Sequence, residues 1–207
     1  AIHLNESPLT LYPVGASVKN VIDKLVALAL LVVASPLFIA IAIAVKFSSP
    51  GPVFFCQKRH GWNGEIFDML KFRSMKQHND ENVVQATRND DRVTKIGKFI
   101  RRTSIDELPQ LFNVLQGHMS LVGPRPHAVQ HNDYFNKKIN AYMARHRIKP
   151  GITGLAQVNG ERGETETLDK MERRVRLDIE YINTWSLWLD FKILLKTPFA
   201  LISDKAY

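Results

Sequence analysis

The chain has 207 residues, 45% of them hydrophobic, which is enough for one domain with a core, and no internal repeat indicates a larger architecture. Its 28 Lys and Arg residues outnumber its 20 Asp and Glu residues, and the net charge of +8 favours a polyanionic partner such as nucleic acid, an anionic lipid or a phosphorylated substrate. Cys56 is the only cysteine, which excludes an intrachain disulfide and a thiolate metal cluster, and we expect it to be buried.

A long apolar segment follows a predicted linker over residues 1–17, where prolines and glycine occur without hydrophobic periodicity. Residues 25–45 are apolar apart from a central Ser35-Pro36 pair, which predicts a kink, and the segment is long enough to cross roughly 30 Å of hydrocarbon. Basic residues flank both ends, so the positive-inside bias gives no direction of crossing. We therefore predict a re-entrant membrane helix hairpin over residues 18–47, with a simple spanning helix as the alternative.

Two strands are predicted over residues 53–58 and 65–75, with Asn63-Gly64 as the hairpin turn between them. Lys71 and Arg73 fall on one face of the second strand. They either form a solvated edge that discourages aggregation or face a phosphate. Residues 78–91 are polar and predict a loop, whose carboxylates are spaced too irregularly to favour a metal site.

Residues 101–110 set two adjacent carboxylates, Asp106 and Glu107, after a pair of arginines. Ser104 and Glu107 have the spacing of a helix capping box, but Pro109 would then interrupt the helix. A helix start nearer Asp106 fits better, because Pro109 is tolerated in a first turn. Capping and phosphate chemistry both remain open for the carboxylate pair, since positive potential favours its ionised form.

Residues 119–122 predict a strand, after which Pro124 and Pro126 hold Arg125 on a stiff backbone. This arrangement suits either a bidentate phosphate contact or a structural turn. His127 and His131 share a helical face, but no helical glutamate accompanies them, so we expect exposed histidines rather than metal ligands.

Two helices are predicted in the last third of the chain. A turn-rich segment, residues 149–160, precedes these helices and matches neither a Walker loop nor a dinucleotide fingerprint. Residues 164–183 are amphipathic and highly charged. Residues 185–202 combine aromatic and aliphatic side chains with lysines, which is typical of a helix in the membrane interface, with a core helix as the alternative.

Several ordered motifs resemble the bacterial sugar transferases, the small monotopic polyprenyl-phosphate phosphoglycosyl transferases. The motifs are Ser35-Pro36, Ser49-Pro50-Gly51-Pro52, Gln57-Lys58-Arg59, Lys71-Phe72-Arg73-Ser74-Met75, residues 101–110, Gly123-Pro124-Arg125-Pro126 and Lys149-Pro150-Gly151-Ile152-Thr153-Gly154. Three further segments look like the undecaprenyl-phosphate glucose phosphotransferases of exopolysaccharide and colanic-acid-type pathways. These are His127-Ala128-Val129, Arg162-Gly163-Glu164-Thr165 and Trp185-Ser186-Leu187-Trp188. Galactose-transferring relatives share them.

The resemblance implies an α+β fold: a mostly helical monotopic membrane protein with a re-entrant kinked N-terminal helix, a small β-hairpin and C-terminal interfacial helices. Residues 48–207 would form a catalytic domain on the cytoplasmic face of the bacterial inner membrane. The implied reaction moves a sugar-1-phosphate, glucose-1-phosphate first, from a UDP-sugar to undecaprenyl phosphate through a covalent aspartyl intermediate, with release of UMP.

The resemblance also implies roles for particular residues. Asp106 would be the nucleophile, and Glu107 would bind Mg²⁺ together with Asp106. The other implied positions are Arg101 in catalysis, Lys71, Arg73, Pro124, Arg125 and Pro126 in substrate binding, and Ser35 and Pro36 in the membrane.

One different function is kept as an alternative, a non-catalytic adaptor whose basic face binds anionic lipid. No nucleic-acid partner is expected, because the chain has neither a helix-turn-helix nor an RNP pattern. A homo-oligomer is compatible with these patterns. The chain begins with Ala1 rather than Met, and members of the glucose branch carry upstream transmembrane helices and a soluble domain, so we expect a catalytic-domain fragment.

Overall fold

In the computed structural model the described residues are 7–11, 13–76, 90–127, 129, 135–136, 138–139, 142–161, 163 and 167–202. His131 and nearly all of the predicted polar loop lie outside them. The helices are α1 (Pro8–Leu11), α2 (Pro13–Ser48), α3 (Lys95–Arg102), α4 (Gln110–Gln116), α5 (Leu155–Val158), α6 (Leu168–Thr184) and α7 (Leu187–Ile202). The strands are β1 (Phe54–His60), β2 (Ile66–Phe72), β3 (Ser120–Val122) and β4 (Gly151–Thr153). The predicted mixture of helices and small sheets, mostly helical, is confirmed.

Helix α2 is one long apolar helix that passes through Pro36 without a break. Pro36 has no amide to donate to the carbonyl of Val32, four residues earlier. The hydroxyl of Ser35 donates to that carbonyl instead, at 2.8 Å. At the position of the predicted kink, the Ser35 hydroxyl therefore replaces the backbone donor that Pro36 lacks, and the helix continues. The helix also begins earlier than predicted, at Pro13, because proline is well suited to a first helical position.

Both halves of α2 pack against the rest of the protein. The inward residues recur at helical spacing along its whole length: Asp23, Ala27, Leu31, Ala34, Phe38, Ile41 and Val45. Lys19 forms a buried ion pair with Asp190 of α7 at 2.6 Å, and Ser120 donates to Asp23 at 2.6 Å. The outward face is apolar and exposed, as at Leu28 and Val33. Among the described residues, α2 is the one helix long and apolar enough to cross a membrane.

Strands β1 and β2 form the predicted antiparallel hairpin, in a register from Phe54 opposite Phe72 to His60 opposite Ile66. Asn63 has a left-handed φ of 52°, which asparagine tolerates better than most residues. Side chains alternate between the two faces, and Phe67, Met69 and Phe72 are buried. The expectation that Cys56 is buried is wrong: it is exposed.

The second sheet pairs β3 with β4 in parallel. Helices α6 and α7 complete the core, with Val175, Tyr181 and Ile193 almost fully buried. Helix α7 has one side in the core, at Ile193, and another side on which Trp188 and Phe199 are exposed.

Candidate active site

The carboxylate pair lies on a 3-10 turn, Ile105–Glu107, between α3 and α4. Ser104 precedes the turn with a left-handed φ of 57°, and its side chain makes no capping hydrogen bond. The capping-box interpretation is therefore wrong. Pro109 takes the N-cap position of α4, where its missing amide removes no bond, and Gly117 ends that helix. The carboxylates are thus positioned by the turn and are free of a capping role.

Glu107 is held by two cations from different parts of the chain. Lys71 of β2 donates to its Oε1 at 2.9 Å. Arg125 donates to both oxygens, to Oε2 at 3.2 Å and to Oε1 by a shorter bond. Burial alone would raise the pKa of Glu107, but Arg125 and Lys71 outweigh it and hold that pKa far below its ordinary value. Glu107 is therefore ionised, and Lys71 and Arg125 lie beside the carboxylate pair.

Asp106 lies beside this cluster, but its pKa is shifted in the opposite direction. It is buried, with 7% of its surface exposed. Burial raises the pKa of Asp106 to about 6, and ionised Glu107 adds to the rise, while Lys71, Arg125 and Arg101 oppose it. The two adjacent carboxylates consequently titrate far apart, which is the pattern expected when neighbouring acids have different tasks. Arg101, in the last turn of α3, is close enough to act on Asp106.

Arg125 is presented by a segment with little freedom to move. Gly123 donates its amide to Thr153 and Gly151 donates to the carbonyl of Pro124, both at 2.9 Å. A Cβ on Gly151 would clash with the backbone of Gly123, so this close approach requires glycine. Pro124 and Pro126 are buried on either side of Arg125. Close backbone packing thus fixes the position of the Arg125 backbone, from which the side chain extends to Glu107.

A second arginine, Arg145, holds the backbone of Arg125 in place. Arg145 donates to the backbone carbonyl of Arg125 at 2.7 Å and to Asp178 of α6 at 2.6 Å. Both side chains of the Arg145–Asp178 pair are only 2% exposed. Arg145 also donates to the ring of His127, whose pKa is lowered well below its ordinary value by burial and by Arg145. The expectation that His127 is exposed is therefore wrong, and its neutral ring is an acceptor in this network.

Arg73 has a different surrounding from Lys71, although the strand pattern placed them together. It follows the end of β2, is buried, and donates to the carbonyls of Pro50 and Ser49 at 2.8 and 2.6 Å. It thereby binds the carbonyl end of α2, as cations commonly do. Arg59 of β1 is nearer the site, with a bond to the carbonyl of Pro126 at 3.5 Å. Burial and Arg125 lower the pKa of Arg59 to about 10, so it keeps its charge at neutral pH.

The carboxylates of Asp106 and Glu107 fit Mg²⁺ if the cations that bind Glu107 move. Among the described residues no three His, Cys, Asp or Glu side chains come together as a metal cluster. Mg²⁺ is often held by one or two carboxylates, water and substrate phosphate oxygens, and Asp106 with Glu107 could supply the carboxylates. Both Glu107 oxygens already accept from Arg125 or Lys71, so a metal there would require these cations to move towards another anion.

A cavity of about 520 Å³ lies away from the carboxylates. It is lined by the N-terminal part of α2, Trp62 at the hairpin tip, and residues just before β4. Its walls are mainly apolar and include neither Asp106 nor Glu107. We assign the chemistry to the carboxylate pair because the charged side chains and the shifted pKa values converge there.

Comparison with known proteins shows the family of the chain. The family model for bacterial sugar transferases matches residues 14–204. The chain is 54% identical to the UDP-glucose:undecaprenyl-phosphate glucose-1-phosphate transferase of Escherichia coli K12, over 99% of the chain and 44% of that protein. It is 56% identical to the protein of that name from Xanthomonas campestris pv. campestris, over 88% of the chain and 38% of that protein.

The chain therefore belongs to the bacterial sugar transferase family, and the resemblance read from its motifs is confirmed. It spans less than half the length of the two glucose-named relatives. A more distant relative, from Aeromonas hydrophila, is named for N-acetylgalactosamine transfer and is 43% identical over 94% of the chain and 47% of that protein. Relatives that are named for different sugars are thus similar to this chain.

Proposed function

We propose that the protein transfers a sugar-1-phosphate, glucose-1-phosphate first, from a UDP-sugar to undecaprenyl phosphate at the cytoplasmic face of a bacterial inner membrane. The observation that carries the proposal is the charge arrangement at Ile105–Glu107. Glu107 is neutralised by Lys71 and Arg125, while Asp106 stays buried with a pKa of about 6. An ionised Asp106 is then a desolvated carboxylate nucleophile surrounded by cations that can bind phosphate.

The proposed reaction has two steps at one phosphorus atom. A carboxylate oxygen of Asp106 attacks the β-phosphorus of the UDP-sugar, the bond from this phosphorus to the bridging oxygen breaks, and UMP leaves with the electron pair. Asp106 then carries the phosphosugar as an acyl phosphate. An oxygen of undecaprenyl phosphate attacks the same phosphorus, releases the Asp106 carboxylate and forms undecaprenyl diphosphate-sugar.

Lys71 and Arg125 would exchange partners when a diphosphate binds. In the structure both cations bind Glu107. A diphosphate carries more negative charge than the single carboxylate of Glu107. The two side chains can therefore turn towards its oxygens and stabilise charge as the leaving group departs. Glu107, with Asp106 beside it, would then be released to hold Mg²⁺, which when bound neutralises phosphate charge that would otherwise repel the attacking carboxylate.

The proposed membrane contact uses α2 and α7. Helix α2 has an exposed apolar face along its length, and α7 exposes Trp188 with Lys192 over its ring at 5.3 Å. Aromatic side chains with nearby lysines are favourable at the lipid headgroup level. Because both halves of α2 bind the same domain, the helix would enter the lipid and return without separating the catalytic site from its soluble substrate.

The test of the proposal is a partial reaction without lipid. The protein with UDP-glucose and Mg²⁺ should release UMP in an amount close to that of the enzyme and gain the mass of a phosphosugar on the peptide that carries Asp106. Asp106→Asn should do neither. Asp68→Asn is the matched control, because this carboxylate is exposed on the hairpin and should leave the reaction unchanged.

Absence of UMP release by the folded wild-type protein would contradict the two-step scheme. If the protein instead bound anionic vesicles in a salt-dependent manner and ignored UDP-sugars, the adaptor alternative would replace it. A panel of UDP-sugars in the same assay identifies the sugar.

A further inference from the structure

Arg59 and Lys71 lie on the same face of the hairpin. Arg59 is paired with Phe67, and Lys71 follows Phe67 by four residues on β2. Because side chains alternate along a strand and paired residues share a face, both cations project to the side on which Phe67 is buried. Lys58, the residue before Arg59, projects to the opposite face and is exposed. The Gln57-Lys58-Arg59 motif thus turns one cation towards the protein and the other away from it.

The guanidinium of Arg59 is held by neutral groups. It donates to Oε1 of Gln57 at 2.5 Å and to the carbonyl of Pro126 at 3.5 Å. Its Nε is buried and has no hydrogen-bond partner, and no carboxylate of the described part of the chain forms an ion pair with it. A partly buried cation with an unsatisfied donor and no counter-charge is unfavourable. The position therefore favours an anion from outside the chain.

Arg59 lies close enough to Arg125 and Glu107 to interact with their charges. The pKa of Arg59 is lowered by burial and by Arg125, and Glu107 opposes this change. Among the cations, Lys71 has the largest effect on Asp106, and Arg125 has the next largest. We therefore place the three cations at increasing distance from the nucleophile in the order Lys71, Arg125 and Arg59.

The geometry of in-line displacement indicates which phosphate would lie next to Arg59. In the proposed function Asp106 attacks the β-phosphorus from one side, and the phosphate of UMP leaves on the opposite side. The acceptor phosphate then attacks the same phosphorus opposite Asp106, on the side that UMP has left. Both phosphates are therefore farther from Asp106 than the phosphorus that is transferred, and they occupy one place in turn.

We propose that Arg59 is a phosphate-binding residue that acts in both half-reactions, on the phosphate of UMP in the first and on the acceptor phosphate in the second. The inference rests on the proposed function. An arginine suits this task because its planar guanidinium can contact a phosphate through two parallel N–H groups. Gln57 is a positioning residue, since its Oε1 holds one Nη of the guanidinium.

The test measures the two half-reactions separately in detergent micelles. The variants are Arg59→Gln, which removes the charge, Arg59→Lys, which keeps it, and Lys58→Gln, a matched control on the exposed face of the same strand. The first half-reaction is UMP release from UDP-glucose without lipid. The second starts from protein that carries the phosphosugar and follows the formation of undecaprenyl diphosphate-sugar. Thermal unfolding shows that each variant is folded at the assay temperature.

We expect Arg59→Gln to lower kcat/KM about tenfold to a hundredfold in both half-reactions, because a charged contact to phosphate is lost in each. Arg59→Lys should recover part of the loss, and Lys58→Gln should behave like the wild type. In the wild-type protein UMP should inhibit the second half-reaction competitively with undecaprenyl phosphate. Uridine, which has no phosphate, should inhibit it far less.

Three results would overturn the inference. One is wild-type kinetics of Arg59→Gln in either half-reaction, and another is an equal loss in Lys58→Gln, which would indicate a general effect of positive charge. The third is noncompetitive inhibition by UMP in the wild-type protein, a measurement that decides the question even where Arg59→Gln does not fold. Failure of the folded wild-type protein to release UMP would count against the proposed function, and it is distinguishable because it precedes any comparison of variants.

Discussion

Arg145 donates to the backbone carbonyl of Arg125 at 2.7 Å, so the arginine that binds Glu107 is itself held in place by an arginine. The second arginine is in turn neutralised by Asp178 at 2.6 Å. Three charged residues therefore connect α6 to the carboxylate pair. Asp178 is a positioning residue in this arrangement, because it acts on the site through Arg145.

Asp178→Asn should lower the rate of UMP release by roughly tenfold to a hundredfold, because small displacements of a binding group cost this much. It should also destabilise the fold by about 3 kcal/mol, since it leaves Arg145 buried without its counter-charge. Thermal unfolding and UMP release, measured well below the melting temperature, check both effects.

A purely structural role for Asp178 would not alter the titration of the site. With Arg125 less firmly held, the ionised form of Asp106 loses part of its favourable interaction with the charge of Arg125. The pH midpoint of UMP release should therefore move upward. Glu161→Gln is the control, because its partner Arg173 is largely exposed. An unchanged midpoint in Asp178→Asn would contradict the positioning role.

The pH dependence of the first half-reaction should follow Asp106. The nucleophile must be ionised, and burial raises the pKa of Asp106 to about 6. UMP release should therefore rise through pH about 6 and level off above about pH 7, as measured by the initial rate across a buffer series. A midpoint near the ordinary Asp value would mean that the group is better solvated than the structure indicates.

Asp106→Asn should stabilise the protein at neutral pH while it abolishes turnover. A carboxyl whose pKa is raised on folding contributes stability below its unfolded pKa of 3.8, and this contribution is lost as the pH rises through the folded pKa of about 6. Removal of the charge should gain about 1 to 3 kcal/mol at pH 8, or a few degrees in melting temperature, and almost nothing at pH 4. Equal gains at both pH values would argue against this origin.

The Ser35 hydroxyl and Pro36 should be energetically coupled. Ser35→Ala leaves the carbonyl of Val32 without its donor, which should cost about 1 kcal/mol in an apolar environment. In a Pro36→Ala background the backbone amide at position 36 can donate to the same carbonyl, so Ser35→Ala should cost much less. Thermal unfolding of the two single variants and the double variant measures the coupling. Additive costs would show that the hydroxyl does not replace the amide.

The two ends of α2 should lie on one side of a membrane. Lys19 is bound to Asp190 near one end, and Arg73 binds the carbonyl of Ser49 at the other. Single cysteines at Ser17 and Ser48, which are both exposed, should react with an impermeant thiol reagent from the same side. The background must be Cys56→Ser, because Cys56 is exposed and would react. Labelling from opposite sides would indicate a spanning helix.

The hairpin and the end of α4 follow from local rules that the sequence displays directly. Asn63-Gly64 supplies a left-handed turn, and Gly117 takes a positive φ of 88° after α4. Strand alternation also places Lys71 correctly, but β2 ends at Phe72, so alternation no longer applies to Arg73. Where a strand ends depends on its neighbours, and here the neighbour is the carbonyl end of α2.

The burial of Arg145, Arg174 and Asp178 is not predicted from the sequence, for a related reason. Residues 164–183 have the pattern of a charged amphipathic helix, in which charged residues ordinarily lie on the solvent face. Arg174 and Asp178 in fact lie on its apolar stripe, at helical spacing with Met171, Val175 and Ile182. Charged residues that interrupt an apolar stripe are the signal that could have indicated a buried ion pair. Arg145, their partner from a distant segment, has no such local signal.

The attachment of α2 at both ends has a consequence for how the protein responds to different lipids. A spanning helix must match the hydrocarbon thickness of its bilayer, by tilting or by deforming the lipid around it. Helix α2 is bound to the rest of the protein near both of its ends, so its depth in a leaflet would be determined by the surface of the domain. The distance between Asp106 and the lipid headgroups would then be the same in thin and thick bilayers.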